Sequence, residues 1–209
     1  MSSQAQNALE ENDEALRRQQ LGHIVASSRL LTETVNHILS QATLTHRFQS
    51  QPPKTVSLDR LTKEVCREVV VPALQKGVEI EYLGKAEFET KGDDFALKQM
   101  IRNIIENAVK YSRPHSVVEV SLDVERSKPA AEIVLQVRDQ GVGVSDEEKK
   151  HIFERFYRSS DNVHPGTGMG LAIAKEVAEH HHAIFRLKDN EPRGLIVEVV
   201  FPCDRGKRS

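Results

Sequence analysis

The sequence predicts an α+β chain: a long N-terminal helix followed by a two-layer α/β sandwich, with a mixed sheet of about five strands and three helices. Three observations predict it. Residues 9–46 keep a helical pattern with no Pro and a single Gly, Gly22. The pair Pro52-Pro53 then interrupts that pattern, because proline donates no backbone hydrogen bond and turns the preceding residue away from helix. Beyond it, segments of period 2 and period 3.6 follow one another to the C-terminus.

In the first helix, Leu21, Ile24, Ser28, Leu31, Val35, Ile38 and Ala42 recur at alternating spacings of three and four, an a/d seam. Val25, Thr32 and Leu39 widen it. A widened stripe suits a helix bundle; packing on the chain's own globular part is the plainer alternative. The proline pair divides the chain into segments 1–50 and 54–209. Residues 57–76 read as a second amphipathic helix on Leu58, Leu61, Val65, Val69 and Leu74, with Pro72 placed to end it early. Val78–Tyr82 alternates apolar and polar, as a strand does. Asp93 or Asp94 caps a helix that runs to Tyr111. Val118, Val120, Leu122 and Val124 mark a second strand; Ile133, Leu135 and Val137 mark a third, ending at Asp139. A glycine-rich, irregular stretch leads to Gly166. A helix over 170–181 and strands over 184–187 and 195–201 complete the pattern.

Composition narrows the function classes. Of 209 residues, 38% are hydrophobic, enough for a real core. Lys and Arg number 29 against 31 Asp and Glu, a balance that argues against a nucleic-acid partner. No apolar run reaches the roughly 18 residues that span a bilayer, and the polar start MSSQAQNALEEND does not read as a signal peptide. Cys66 and Cys203 lie far apart without metal-type spacing, and read as free thiols of a reducing compartment.

Four segments carry chemistry. On the helix ending at Tyr111, Asn103, Asn107 and Lys110 fall in a stripe about 60° wide, beside the apolar face of Leu97, Ile101, Ile104, Ile105 and Ala108. Amide oxygens suit magnesium and an ammonium suits phosphate; a solvated polar face is the alternative. Asp139, at a strand end, can accept from an exocyclic amine, while Gly141 and Gly143 let backbone approach a ligand; an ordinary turn would look similar. Residues 153–158, from Phe153 to Arg158, mix aromatic and basic side chains and read as a segment held against a ligand, or as a short core helix. Gly166, Thr167, Gly168, Met169, Gly170 and Leu171 open a helix whose N–H groups suit an anion; a flexible hinge is the alternative.

Taken in series, these segments resemble the catalytic ATPase domain of sensor histidine kinases, in the GHKL superfamily with its Bergerat ATP-binding fold. Residues 103–112, NIIENAVKYS, resemble the N box; 139–143 the first glycine box; 153–158 the F box; 166–171 the second glycine box. Residues 29–47 resemble the second helix of the dimerisation and histidine-phosphotransfer domain. The resemblance implies that Asn107 coordinates magnesium with help from Asn103, Lys110 contacts phosphate and Tyr111 lies by the nucleotide. It implies Asp139 on the adenine amine, with Gly141 and Gly143 shaping that pocket. Gly166, Gly168 and Gly170 would wrap the phosphates at the end of a lid over 142–165, with Thr167, Met169, Leu171, Phe153 and Arg158 around the ligand. The implied reaction moves the γ-phosphoryl of magnesium-ATP to a histidine, then to the aspartate of a response regulator receiver domain. The implied setting is a homodimer through the N-terminal helix, cytoplasmic, as part of a membrane-bound sensor.

Two departures stand out. No segment like the family's H-E-L-R-T-P-L phosphoacceptor occurs in this chain; His23 is followed by Ile-Val-Ala-Ser-Ser and lies on the other helix type. His180, His181, His182 and Ala183 stand where the family has a His-Gly-Gly turn, and read as a helix end or a metal-binding run. The rival within the superfamily is a hydrolytic ATPase, which places a general-base glutamate four residues before the magnesium asparagine. Here that position is Asn103, and Glu106 is rotated about 100° from Asn107. A nucleotide-dependent scaffold is the non-enzymatic alternative.

Overall fold

A computed structural model describes residues 14–84, 87–126, 131–158 and 166–202. Helix α1 (Glu14–Ser50) is followed by β1 (Lys54–Ser57), α2 (Leu58–Gln75), β2 (Val78–Tyr82), β3 (Glu89–Gly92) and α3 (Asp94–Tyr111). Strands β4 (Ser116–Arg126) and β5 (Ala131–Arg138), helices α4 (Asp146–His151) and α5 (Gly170–His180), and strands β6 (Ile184–Asp189) and β7 (Leu195–Pro202) complete it. The main sheet has the order β2-β4-β5-β7-β6. Its β2–β4 pair is parallel and the other pairs are antiparallel, so the expected mixed five-stranded sheet is present.

Helix α3 lies at the centre of the helical layer, with α2 on one side and α5 on the other. Its Leu97, Met100, Ile101, Ile104 and Ile105 are fully buried, facing Val118, Val120 and Leu122 of β4 and Leu135 of β5. Full burial of each such side chain contributes about 1.5–3 kcal/mol relative to exposure. Asp93 is the cap: its carboxylate accepts from the Ala96 N–H at 2.8 Å. The same logic starts α2, where the Ser57 hydroxyl accepts from the Arg60 N–H at 3.2 Å.

Four expectations are corrected. Pro72 sits inside α2, which continues to Gln75; Ala73 is buried there and Leu74 points outward. Strands β1 and β3 form a separate antiparallel pair that the sequence pattern did not show. The stretch after Asp139 is not irregular throughout, because α4 forms on a capping box between Ser145 and Glu148. Helix α1 runs on to Ser50 rather than stopping at 46.

The a/d seam of α1 stays exposed at Leu21, Val25, Leu31, Val35, Ile38 and Leu39. A different stripe, His37, Gln41, Leu44 and Phe48, meets the globular part, roughly 140° round the helix from the seam. Leu44 is 1% exposed. The Gln41 amide donates to Glu176 Oε2 at 3.1 Å. Arg47 Nε donates to both Asp93 oxygens at 3.0 and 2.9 Å. Phe48 stacks on His180 with centroids 3.6 Å apart.

Candidate functional site

The stripe predicted on α3 faces the start of α5. Asn103 is 4% exposed, and its Nδ2 has no hydrogen-bond partner among the described residues. A Cβ placed on Gly170 would lie 3.9 Å from its amide, so the glycine leaves the two helices in contact distance. Asn107 follows one turn later and is half-buried. Lys110 reaches from the last turn toward Gly166: its Nζ occupies the place a Cβ on that glycine would need. The same ammonium lies 5.0 Å from the centroid of the Tyr111 ring. Among the described residues Lys110 has no carboxylate partner.

Opposite, β5 delivers Asp139 into a closed turn. The Gly141 N–H donates to Oδ1 at 2.8 Å and the Leu195 N–H to the same oxygen at 3.2 Å. Burial pushes the Asp139 carboxyl above the usual range, against the pull of those two donors. Both donors engage Oδ1, and Oδ2 has no partner among the described residues. A Cβ on Gly141 would come within 2.5 Å of the Tyr111 carbonyl, so the turn packs directly on the end of α3. Gly143 takes φ +80, a left-handed conformation that glycine adopts without strain.

Two residues outside the predicted set close this turn. The Asn190 side-chain amide donates to the Asp139 carbonyl at 2.7 Å. Gly194, at φ +124, lies so close that any Cβ would strike the same carbonyl. Their only sequence signal is the turn chemistry of Asn190-Glu-Pro-Arg-Gly194, which marks a loop without showing what it touches.

The F segment and the second glycine box lie against each other. The Phe156 N–H donates to the Gly168 carbonyl at 3.1 Å. Phe156 is itself left-handed at φ 66, and Gly168 has φ +70 with the Tyr157 carbonyl 2.6 Å from its missing Cβ. Phe153 packs edge-on against Phe185, centroids 5.1 Å apart, with the Lys175 ammonium 4.9 Å from its ring. Arg158 is exposed. Met169 and Leu171 are buried. Thr167 turns toward α1, its hydroxyl 2.7 Å from His37 Nδ1. Of the expected lid, 159–165 lies outside the described residues.

The three-histidine run has a structural use. His181 Nε2 accepts from the Asp93 N–H at 3.0 Å, and Nδ1–H donates to the Val177 carbonyl at 2.7 Å. His180 stacks on Phe48, and His182 takes a left-handed φ of 55, a conformation glycine would adopt without strain.

Residues 92–205 match the family described as Histidine kinase-, DNA gyrase B-, and HSP90-like ATPase. The chain belongs to that family. The matched region opens on the residue before the α3 cap and takes in every predicted nucleotide-site residue. Among its relatives, the sensor protein kinase PmrB of Pseudomonas aeruginosa is 32% identical over 204 residues, which is 97% of this chain and 42% of the relative. The signal transduction histidine-protein kinase/phosphatase MprB of Mycobacterium tuberculosis is 38% identical over 117 residues, 56% of this chain and 22% of the relative. The chain thus spans less than half the length of these curated relatives. Among solved structures, a mycobacterial sensor histidine kinase MprB superposes with TM-score 0.61 at 28% identity, covering 72% of this chain and 97% of that one. The Acinetobacter baumannii histidine kinase AdeS shares the fold at TM-score 0.63 and 17% identity, over 96% of this chain and 92% of that one. The chain carries an ATPase domain of this family in an α+β Bergerat fold, the fold of the histidine kinase structures it resembles. Among the described residues no helix is long and apolar enough to cross a membrane.

Proposed function

We propose that this domain holds magnesium-ATP between α3, the Asp139 turn and the start of α5, and passes the γ-phosphoryl to a histidine that lies outside this chain. The observation that carries the reading is the junction at Lys110. It brings a cation with no carboxylate partner among the described residues from α3 to the glycine-rich turn that opens α5, so an anion bound there meets an ammonium and backbone N–H groups together. Asp139, Gly141 and Gly143 would take the adenine end. Tyr111, Phe153, Arg158, Thr167, Met169, Leu171 and the glycines at 166, 168 and 170 would surround the nucleotide. The Asn103 Nδ2, a donor without a partner among the described residues, fits an acceptor on a polar ligand in this place, and the amide oxygens of Asn103 and Asn107 would hold magnesium. When bound, that ion neutralises phosphate charge.

Phosphoryl transfer depends on positioning and charge stabilisation more than on a protein nucleophile, and the site has that character. A hydrolytic role is less well supported. Position 103 is an amide, and Glu106 is turned to an exposed ion pair with Arg102 at 3.6 Å. In this reading 54–209 is the catalytic unit and 1–50 contributes to a phosphotransfer and dimerisation bundle. The exposed seam of α1 supports a homodimer of that kind. A response regulator receiver domain would accept the phosphoryl group, and the setting would be the cytoplasmic side of a membrane-bound sensor.

Isothermal titration tests the site. Asn107→Ala should abolish the magnesium-dependent part of ATP affinity, and Asp139→Ala should weaken binding of the adenine end. Unchanged affinity in both variants would remove the site assignment. With labelled ATP, the chain alone should acquire no acid-labile label, whereas a separately supplied hairpin bearing the acceptor histidine should. Label on this chain alone would place the acceptor among its own histidines.

A further inference from the structure

A helix C-terminus leaves its last carbonyls without partners inside the helix. At the end of α3 the Ser112 N–H takes the Ala108 carbonyl at 3.0 Å. The next two carbonyls are met by a side chain from another helix. Lys76, the cap residue of α2, donates from Nζ to the Val109 carbonyl at 2.9 Å and also to the Lys110 carbonyl. A cation in this place also faces the negative end of the helix dipole. Burial, and then the charge of Lys110, pull its pKa below the ordinary lysine range.

The seat of Lys76 is itself fixed. Its backbone N–H bonds to the Ala73 carbonyl at 3.0 Å, and the Gly77 carbonyl accepts from the His115 N–H at 2.6 Å. The corner between α2 and β2 is thereby tied to the corner between α3 and β4. Of the carbonyls Lys76 holds, that of Lys110 belongs to a residue that meets one glycine turn, and the next residue, Tyr111, meets the other. Lys110 extends to Gly166, and the Tyr111 carbonyl abuts Gly141. A small slip of this last turn would drive that carbonyl into Gly141 or withdraw the ammonium from Gly166.

We propose that Lys76 is a positioning residue for nucleotide binding: it clamps the last turn of α3 so that Lys110 meets the phosphate-bearing end of the ligand. The proposal rests on the nucleotide-site reading above. Lys76 acts through the α3 backbone and does not touch the ligand.

The test is a double-mutant cycle on the full chain, read by titration with the non-hydrolysable analogue AMPPNP and magnesium. Lys76→Met should lower affinity on the order of tenfold, as loss of an outer-shell support does elsewhere. Lys76→Arg, which keeps charge and donors, should recover most of it. In a Lys110→Ala background, Lys76→Met should change affinity by less than about twofold, because the group it positions is gone. Thermal melts fix a temperature at which all variants are folded. If Lys76→Met does not fold, Lys76→Gln, which keeps a donor without the charge, carries the same comparison. Equal losses in both backgrounds would overturn the proposal, and so would wild-type affinity in Lys76→Met. If the unmutated chain does not bind AMPPNP, the nucleotide site itself fails, and the positioning role falls with it.

Discussion

Helices α1 and α3 show what the same chemistry does in two settings. In α3, 18 residues long, nine are buried and its apolar face is met on both sides by this chain. In α1, 37 residues long, Leu44 is buried, yet Leu31 is 51% exposed and its seam neighbours are similar. Both helices carry a regular apolar stripe. Among the described residues, only the stripe of α3 is covered. A helical period in sequence therefore says that a face is to be covered, and does not say by what. The domain side of α1 is instead a mixed stripe of His37, Gln41, Leu44 and Phe48, held by polar and aromatic contacts.

Ile105→Ala in α3 should cost about 2–5 kcal/mol, since the cavity lies in a close-packed core. Leu31→Ala in α1 should leave domain stability within about 0.5 kcal/mol. Paired thermal melts check both; a large loss from Leu31→Ala would mean that the seam is covered within one chain.

Gly194→Ala puts a Cβ onto the Asp139 carbonyl at a backbone angle of φ +124, and should cost about 1–3 kcal/mol and weaken nucleotide binding with it. Gly22→Ala, with nothing within 4 Å of its Cβ, should stabilise α1 by roughly 0.5–1 kcal/mol. Circular dichroism of the two variants would separate these opposite signs.

The smallest expected effect is on pH. Burial holds the His181 pKa below the ordinary imidazole range, with both ring nitrogens engaged in the neutral form. The unfolded chain protonates first. The contribution is therefore complete above the ordinary imidazole pKa, and is lost as pH falls from there through the lower folded value. His181→Gln, whose amide oxygen can still accept from the Asp93 N–H, should flatten this part of the stability profile. Some slope should persist, because His37 is depressed by burial in the same direction. An unchanged slope would show that His181 does not titrate in this window.

Much of the catalytic side was legible in sequence because its determinants are local. The Asp93 cap, the period of α3 and the alternation of β4 and β5 each act over a few residues, and the glycine boxes name their own backbone needs. Strands β1 and β3 were not legible: KTVS and ETKG are four residues each and carry no apolar alternation. Helix α4 left a visible signal, Ser145 with Glu148 three residues on, but its six residues have no apolar stripe and none is buried. The parts of the site that escaped are contacts across long separations. Asn190 meets Asp139 from 51 residues away, and Lys76 meets Lys110 across 34. No local pattern encodes such pairs, because they depend on how two corners are brought together by the sheet.

The grip of α1 on the domain also has a mechanical side. At 1.5 Å per residue the helix is a rod about 55 Å long. Its firmest hold lies near one end, where Arg47 grips the cap of α3 and Phe48 stacks on the end of α5. That point is a fulcrum seated on both helices of the proposed nucleotide site. His37 stands ten residues along the long arm, about 15 Å from the fulcrum. A tilt of about 5° moves it by about 1.3 Å, enough to part its ring from the Thr167 hydroxyl at 2.7 Å. The far end of the rod, at Glu14, would sweep more than three times as far, so a coarse movement there is geared down to a fine one at the glycine-rich turn.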